Sequence, residues 1–185
     1  MQQAIGLITG GAEGAGDAQD PSRTIASERA LNGAIVAADI SQSFEEYLEI
    51  FDHFYAEDIE GTTDTMKEPV HGKAAVRTRL AGFLIPLHVF AEIGGVSVSI
   101  QSSPIRGDRA DETHSAWTLQ LRGVTGATCT VTWCSRRRLR LGRVFSEHHY
   151  DHRRVGEPLT LSDLRFSCDG MEGDAQQGLQ SPNRP

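Results

Sequence analysis

At 185 residues with 38% hydrophobic residues, the chain is long enough for one well-filled core and too short for two comfortable domains. A formal net charge of −7 disfavours general affinity for nucleic acid or an anionic membrane, whose phosphates would repel most of this surface. Cys129, Cys134 and Cys168 are odd in number and lack CxxC spacing, which argues against a disulfide framework or a zinc knuckle and points to a reducing cytoplasm.

The start, MQQAIGLITGG, has no basic region before its short apolar run, and no stretch approaches eighteen apolar residues. Neither a signal peptide nor a membrane span is expected. Thr9 to Gly16 follows the TGxxxGxG pattern of the phosphate loop in short-chain dehydrogenases. Asp17, Asp20 and Pro21 follow it where a helix start is needed, and Tyr150 is followed four residues later by Arg154 rather than lysine. Dinucleotide binding is therefore not expected. Residues 1–22 and 166–185, rich in Gly, Asp, Gln and Ser, read as flexible tails around a single domain spanning 23–165.

Between Thr24 and Asp39, Leu31, Ala34, Ile35 and Ala38 recur at helical spacing and predict a first amphipathic helix with an ordinary polar face. Phe44, Tyr47, Leu48, Phe51, Phe54 and Tyr55 make a second stripe, opened by the Ser43–Glu46 capping box and running to about Glu57. Ile59 to His71 reads as a short hairpin. A third helix after Gly72 places Val76, Leu80, Phe83, Leu84 and Leu87 on one face, with Pro86 positioned to end or kink it.

Beyond His88 the apolar period falls to two, at Val96–Ile100, Trp117–Leu121, Val131–Trp133 and Val144–Asp151. Four strands are predicted, joined by short connections at Pro104–Asp108, Gly123–Gly126 and Gly142 that favour an antiparallel meander. Helices with one apolar stripe and a sheet with one apolar face must cover each other. The predicted fold is α+β, with N-terminal helices inside a strongly curved, mixed or antiparallel sheet that leaves a cone for a small molecule.

The run FYAEDIEGTTDTMKEPVHGKAAVRTRL from Phe54 to Leu80, above all YAED and HGKAAVR, resembles the helix end, hairpin and helix start of the nuclear transport factor two-like superfamily. That superfamily includes SnoaL-like polyketide cyclases and ketosteroid isomerases. GRVFSEHHYDH, Gly142 to His152, resembles the last strand of SnoaL-like domains. The resemblance covers roughly Thr24 to Asp163 as a fold-level analogy. It implies a cone-shaped roll that dimerises through its outer sheet face. It also puts Thr63, beside Asp64, where ketosteroid isomerases carry their catalytic Asp, and Cys134 or Ser135 near their oxyanion-stabilising acid. Steroid isomerase chemistry is thus not implied, whereas an Asp and a His in the cone, as in SnoaL-like cyclases, are available.

Along the last predicted strand Phe145, Glu147, His149 and Asp151 share one face, and Val144, Ser146, His148 and Tyr150 the other. Periodicity leaves open which faces inward. The resemblance, aligned through Gly142, turns the odd-numbered set into the cavity. His149 and Asp151 would then exchange protons while Glu147 orients the imidazole, with Phe51, Tyr55, Leu84, Trp117 and Phe145 lining the ligand site. The alternative is a charged network on an outer or interface face of a non-catalytic binding or dimerisation module. His148 and His149 point to opposite faces and no spacing fixes a third ligand, so no metal and no cofactor are expected. Arg136, Arg137, Arg138, Arg140 and Arg143, alternating with Leu139 and Leu141, read as a strand edge or turn with a solvated face. The expected partner is a small apolar molecule acted on by cyclisation, isomerisation or hydration in a cytoplasmic homodimer, with neither nucleic acid nor membrane.

Overall fold

The computed structural model describes residues 21–165, so the Gly-rich Thr9–Gly16 segment and both expected tails lie largely or wholly outside the described residues. Helix α1 spans Pro21–Ala37, opening on a proline whose fixed φ suits the first helical turn. In α2, Glu45–Phe54, the Ser43 hydroxyl accepts the Glu46 amide at 3.3 Å and donates to Glu45 at 2.9 Å, so half of the expected capping box forms. The helix stops before Glu57 because Tyr55 is already extended (φ −103, ψ 144) and opens strand β1, Tyr55–Thr63.

After the short strand β2, Val70–His71, helix α3 runs from Lys73 to Glu92 straight through Pro86. The proline neither ends it nor sits in the core. It lies on the exposed side with Gly82, whose carbonyl is the one that loses its amide partner and can turn to water. Leu84, Leu87 and Ala91 are buried, whereas Phe83 is 56% exposed, contrary to the predicted stripe, and Ile85, Val89, Phe90 and Ile93 are exposed with it. Arg77 and Arg79 are the only Asp, Glu, Lys or Arg in 74–91, so by length and composition alone α3 reaches what a membrane span requires, although no single unbroken apolar run does.

Strands β3 (Ser97–Ser102), β4 (Arg106–Arg109), β5 (Glu112–Arg122), β6 (Thr128–Arg140) and β7 (Arg143–Val155) complete one seven-stranded sheet of order β2-β1-β7-β6-β5-β3, with β4 also paired to β5. A 3₁₀ turn, Leu161–Asp163, follows. The β1–β7 pair is parallel and the others are antiparallel, so the sheet is mixed. Strand β4 was expected to be a connection: its sequence, RGDR, has no apolar residue from which a period could be read. The helices cover one face of the sheet. One core cluster joins Leu31, Phe51, Tyr55, Ile59, Leu139 and Val144, and a second joins Ile40, Leu48, Leu84, Leu87, Ala91 and Leu119.

The β6–β7 connection is a two-residue turn, Leu141–Gly142, with both residues at positive φ (51° and 79°). Glycine accepts that backbone freely, whereas leucine does not, and Leu141 is 87% exposed and gains little from burial. Leu141→Asn is expected to raise stability by about 0.5–1 kcal/mol, seen as a higher urea midpoint with an unchanged denaturant slope.

Candidate functional site

Strand β7 does not alternate cleanly, because two bulges bracket its centre. Arg138 pairs with Ser146 but Leu139 with Val144, so Phe145 is an extra residue; Cys134 pairs with Tyr150 but Thr132 with Arg153, so Asp151 and His152 together face Trp133 alone. Each bulge shifts the in-and-out phase by one residue. Glu147 and His149 keep the inward direction predicted for them, while Phe145 and Asp151 lose it. Phe145 lies under the guanidinium groups of Arg138 and Arg140, each 5.1 Å from its ring centre. Asp151 is exposed at φ 55°, ion-paired with Arg153 at 2.9 Å. Its amide donates to Asp64 at 2.8 Å.

The inward faces of β5, β6 and β7 form rows across the sheet. Thr113, Arg137 and Glu147 are one row, Ser115, Ser135 and His149 the next, and Trp117 and Trp133 a third, their rings stacked at 6.0 Å. A basic run expected to be solvated thus sends one member inside: Arg137 is only 3% exposed. Strand alternation turns it inward while Arg136, Arg138 and Arg140 stay outside. Its Nη1 donates to Glu28 Oε1 and to Asn32 Oδ1, both at 2.8 Å, and its Nε donates to Glu147 Oε1 at 2.5 Å. The guanidinium also stands 5.4 Å from the Trp117 ring centre.

Glu28 and Asn32, four residues apart on α1, were missed because that helix's polar face looked ordinary. Their signal was a shared stripe with Leu31 and Thr24, all four of which are buried. Glu147 Oε1 collects the Tyr55 hydroxyl at 3.0 Å, Arg137 Nε, and His149 Nε2 at 3.0 Å, the last without the alignment of a hydrogen bond. The His149 ring is 30% exposed although Nε2 is buried, and the ring tilts against Trp133 at 6.3 Å. Thr63 of β1 and Ser135 of β6 flank His149 as its register partners.

Burial opposes ionisation of Glu147, but Arg137 and His149 outweigh it and hold its carboxyl well below the usual glutamate range. Burial pushes the Tyr55 hydroxyl well above its usual value, so it stays a donor. Burial works against the Arg137 charge too, yet Glu28, Tyr55 and Glu147 raise its value. Glu28 Oε2, Asn32 Nδ2, Thr113 Oγ1, Ser135 Oγ and His149 Nε2 are buried without a hydrogen-bond partner among the described residues. These atoms, three on adjoining rows of the sheet and two on α1 facing them, mark a polar interior that water or a polar ligand group would satisfy.

The residues expected to wall a hollow are instead tightly packed. Phe51, Tyr55, Leu84 and Trp117 are 2–5% exposed. Two cavities lie elsewhere. One, of about 460 Å³, is lined by Ser27, His53, Phe54 and the Leu141–Arg143 turn. The other, of about 580 Å³, lies on the outer side of the sheet and is lined by Asp64, His114, Arg136, His148, Tyr150 and Asp151. Among the described residues no group of three or more His, Cys, Asp or Glu is arranged to hold a metal ion.

No family model and no curated protein matches the sequence. Solved structures align with the backbone. A SnoaL-like polyketide cyclase from Jannaschia sp. CCS1 aligns at 10% identity and a TM-score of 0.49, covering 74% of this chain and 89% of its own. An NTF2-like protein of unknown function from Cytophaga hutchinsonii aligns at 12% and 0.48, covering 69% and 97%. An epoxide hydrolase of the LEH-like kind from M. tuberculosis aligns at 14% and 0.47, covering 70% and 82%. The chain is similar to these in fold. At such identities the likeness concerns the path of the backbone, and any activity has to be argued from the side chains.

Removing the guanidinium would leave two buried carboxylates facing each other. Arg137→Met is expected to cost about 3–5 kcal/mol, measured by urea unfolding at pH 7. A carboxyl whose folded value lies below its ordinary 4.5 stabilises the protein fully above that pH, and the contribution is lost as pH falls through the lower folded value. The wild-type unfolding midpoint should therefore drop more steeply between pH 5 and pH 3, on the order of two units, than that of Glu147→Gln, which starts lower at pH 7.

Proposed function

We propose that the protein is a small-molecule enzyme working by proton transfer at His149, on substrates open to cyclisation, isomerisation or hydration. The observation that carries this reading is a partly exposed imidazole whose buried Nε2 rests 3.0 Å from a carboxylate held ionised by Arg137. At that distance the carboxylate attracts a protonated ring by charge, and a small rotation of the imidazole would align Nε2 on it as a general base is aligned on its orienting acid. Glu147 stays charged, so its part is electrostatic: it holds the ring and stabilises the imidazolium formed when His149 takes a proton. Arg137 and the Tyr55 hydroxyl fix the carboxylate in turn, and Glu28 and Asn32 fix the guanidinium. Trp133 offers a flat apolar surface next to the imidazole, which suits an apolar or aromatic substrate. Asp151, on the opposite side of the sheet, has no part in the transfer.

A second reading, a non-catalytic binding module, draws support from the packing of the interior and from the position of two cavities away from His149. Turnover separates the two. With a panel of enolisable aromatic ketones and alkene epoxides, an active member should lose about 100-fold or more in kcat/KM on His149→Ala, the usual scale of a lost acid/base group. Glu147→Gln should lose on the order of tenfold or more, and Asp151→Asn less than about threefold. Turnover that survives His149→Ala overturns the assignment, and saturable binding without turnover selects the module.

A further inference from the structure

The outer cavity holds a row of nitrogen-bearing side chains that the interior site does not use. His114, Arg136 and His148 are register partners across β5, β6 and β7, at cross-strand distance from one another. Each imidazole has a carboxylate beside it. Glu112 Oε1 lies 3.2 Å from His114 Nε2, and Asp64 Oδ1 lies 3.3 Å from His148 Nε2. The remaining acids of the cavity are committed too: the second oxygen of Asp64 accepts the Asp151 amide, and the Asp151 carboxylate is turned to Arg153.

Arg136 stands in the middle of this row, exposed, and makes no ion pair or hydrogen bond among the described residues. Its neighbours on β6 differ. Arg138 grips Asp111 at 2.6 Å, Arg140 grips Asp58 with one Nη2 at 2.6 and 2.9 Å, and Arg137 is buried in its carboxylate pair. One guanidinium fork is thus left to face a cavity of about 580 Å³ in which every carboxylate is already engaged. One wall of that cavity is the stacked pair His148 and Tyr150, with ring centres 5.6 Å apart and planes within 9°. Tyr150 reaches across β6 past Cys134, its hydroxyl 3.3 Å from His114 Nδ1, so its ring forms one side of the cavity next to Arg136.

We propose that this cavity is a second ligand site, binding a small oxyanion, carboxylate or phosphate, carried on a planar ring. Arg136 takes the anion through two parallel N–H donors, which suits a carboxylate or phosphate edge. The ring lies against the His148–Tyr150 wall. The inference does not depend on His149 chemistry, since the two sites occupy opposite faces of β7.

The probes are benzoate and phenyl phosphate, with benzamide as the uncharged counterpart and inorganic phosphate as the ringless one, titrated by NMR and calorimetry into the full chain. Saturable binding of at least one ring-bearing anion is expected in the range of about 0.1–3 mM. Benzamide and inorganic phosphate should each bind at least about tenfold more weakly, the loss of one charge-assisted contact or of the ring contact. Arg136→Gln should weaken binding by about tenfold or more, while Arg122→Gln, an exposed arginine further along β5, leaves it unchanged. Shifts should centre on the His114 and His148 ring protons. Comparison of benzoate with phenyl phosphate tells which anion is preferred. No saturation by about 20 mM, equal binding by Arg136→Gln, or shifts confined to His149 would each overturn the site.

Discussion

The guanidinium of Arg137 ties helix α1 to the two central strands of the sheet, through Glu28 and Asn32 on one side and Glu147 on the other. Three charges taken out of water at one place cost more than an apolar core of the same volume, so this arrangement is poorly explained as a device for stability alone. What it achieves is position. Tyr55, at the α2–β1 junction, adds its hydroxyl to the same carboxylate oxygen, so three segments distant in sequence converge on Glu147. His149 is the outermost member of this cluster and the one that solvent reaches.

The bulges in β7 decide what else that strand can do. A strand in strict alternation would have turned Glu147, His149 and Asp151 to one side and made a compact acid–imidazole–acid set. The extra residues at Phe145 and at Asp151–His152 break the phase on both sides of the segment from Ser146 to Tyr150. The left-handed Asp151 is held by the Asp64 carboxylate across from it, so a costly backbone conformation is over-determined by its surroundings. As a result one strand presents Glu147 and His149 to the helices and His148, Tyr150 and Asp151 to the outer cavity. The two faces carry different chemistry: inside, an imidazole backed by a single ionised carboxylate; outside, an uncommitted guanidinium among acids that already have partners.

The helical layer is asymmetric in the same way. The buried side of α3 meets the core with Leu84, Leu87 and Ala91, yet Phe83, Phe90 and Ile93 on its other side remain exposed. An apolar helix in this fold is therefore not a guide to the location of the core, because both sides of α3 satisfy the same composition. Pro86 falls on the exposed side, where the carbonyl it leaves unpaired can be hydrated, and that is why the helix survives it.

Sequence alone determined the α+β class, the three helices, the hairpin at Ile59–His71 and four of the later strands, because each rests on local periodicity or on short-range turn chemistry; for Glu147 and His149 periodicity gave a shared face, and the structure decided that this face is inward. The cone-roll resemblance followed from two short motifs, YAED and HGKAAVR. Tertiary structure alone decided the rest. Strand β4 has no apolar period to read, and the parallel β1–β7 pair joins residues some ninety positions apart. The burial of Arg137 depends on which face of β6 the helices cover, and the partnership of Glu28 and Asn32 with it depends on α1 being laid against that face. Bulges are set by pairing with a neighbouring strand, so a one-residue change of phase, enough to expel Phe145 and Asp151, leaves no mark on the pattern of a single strand.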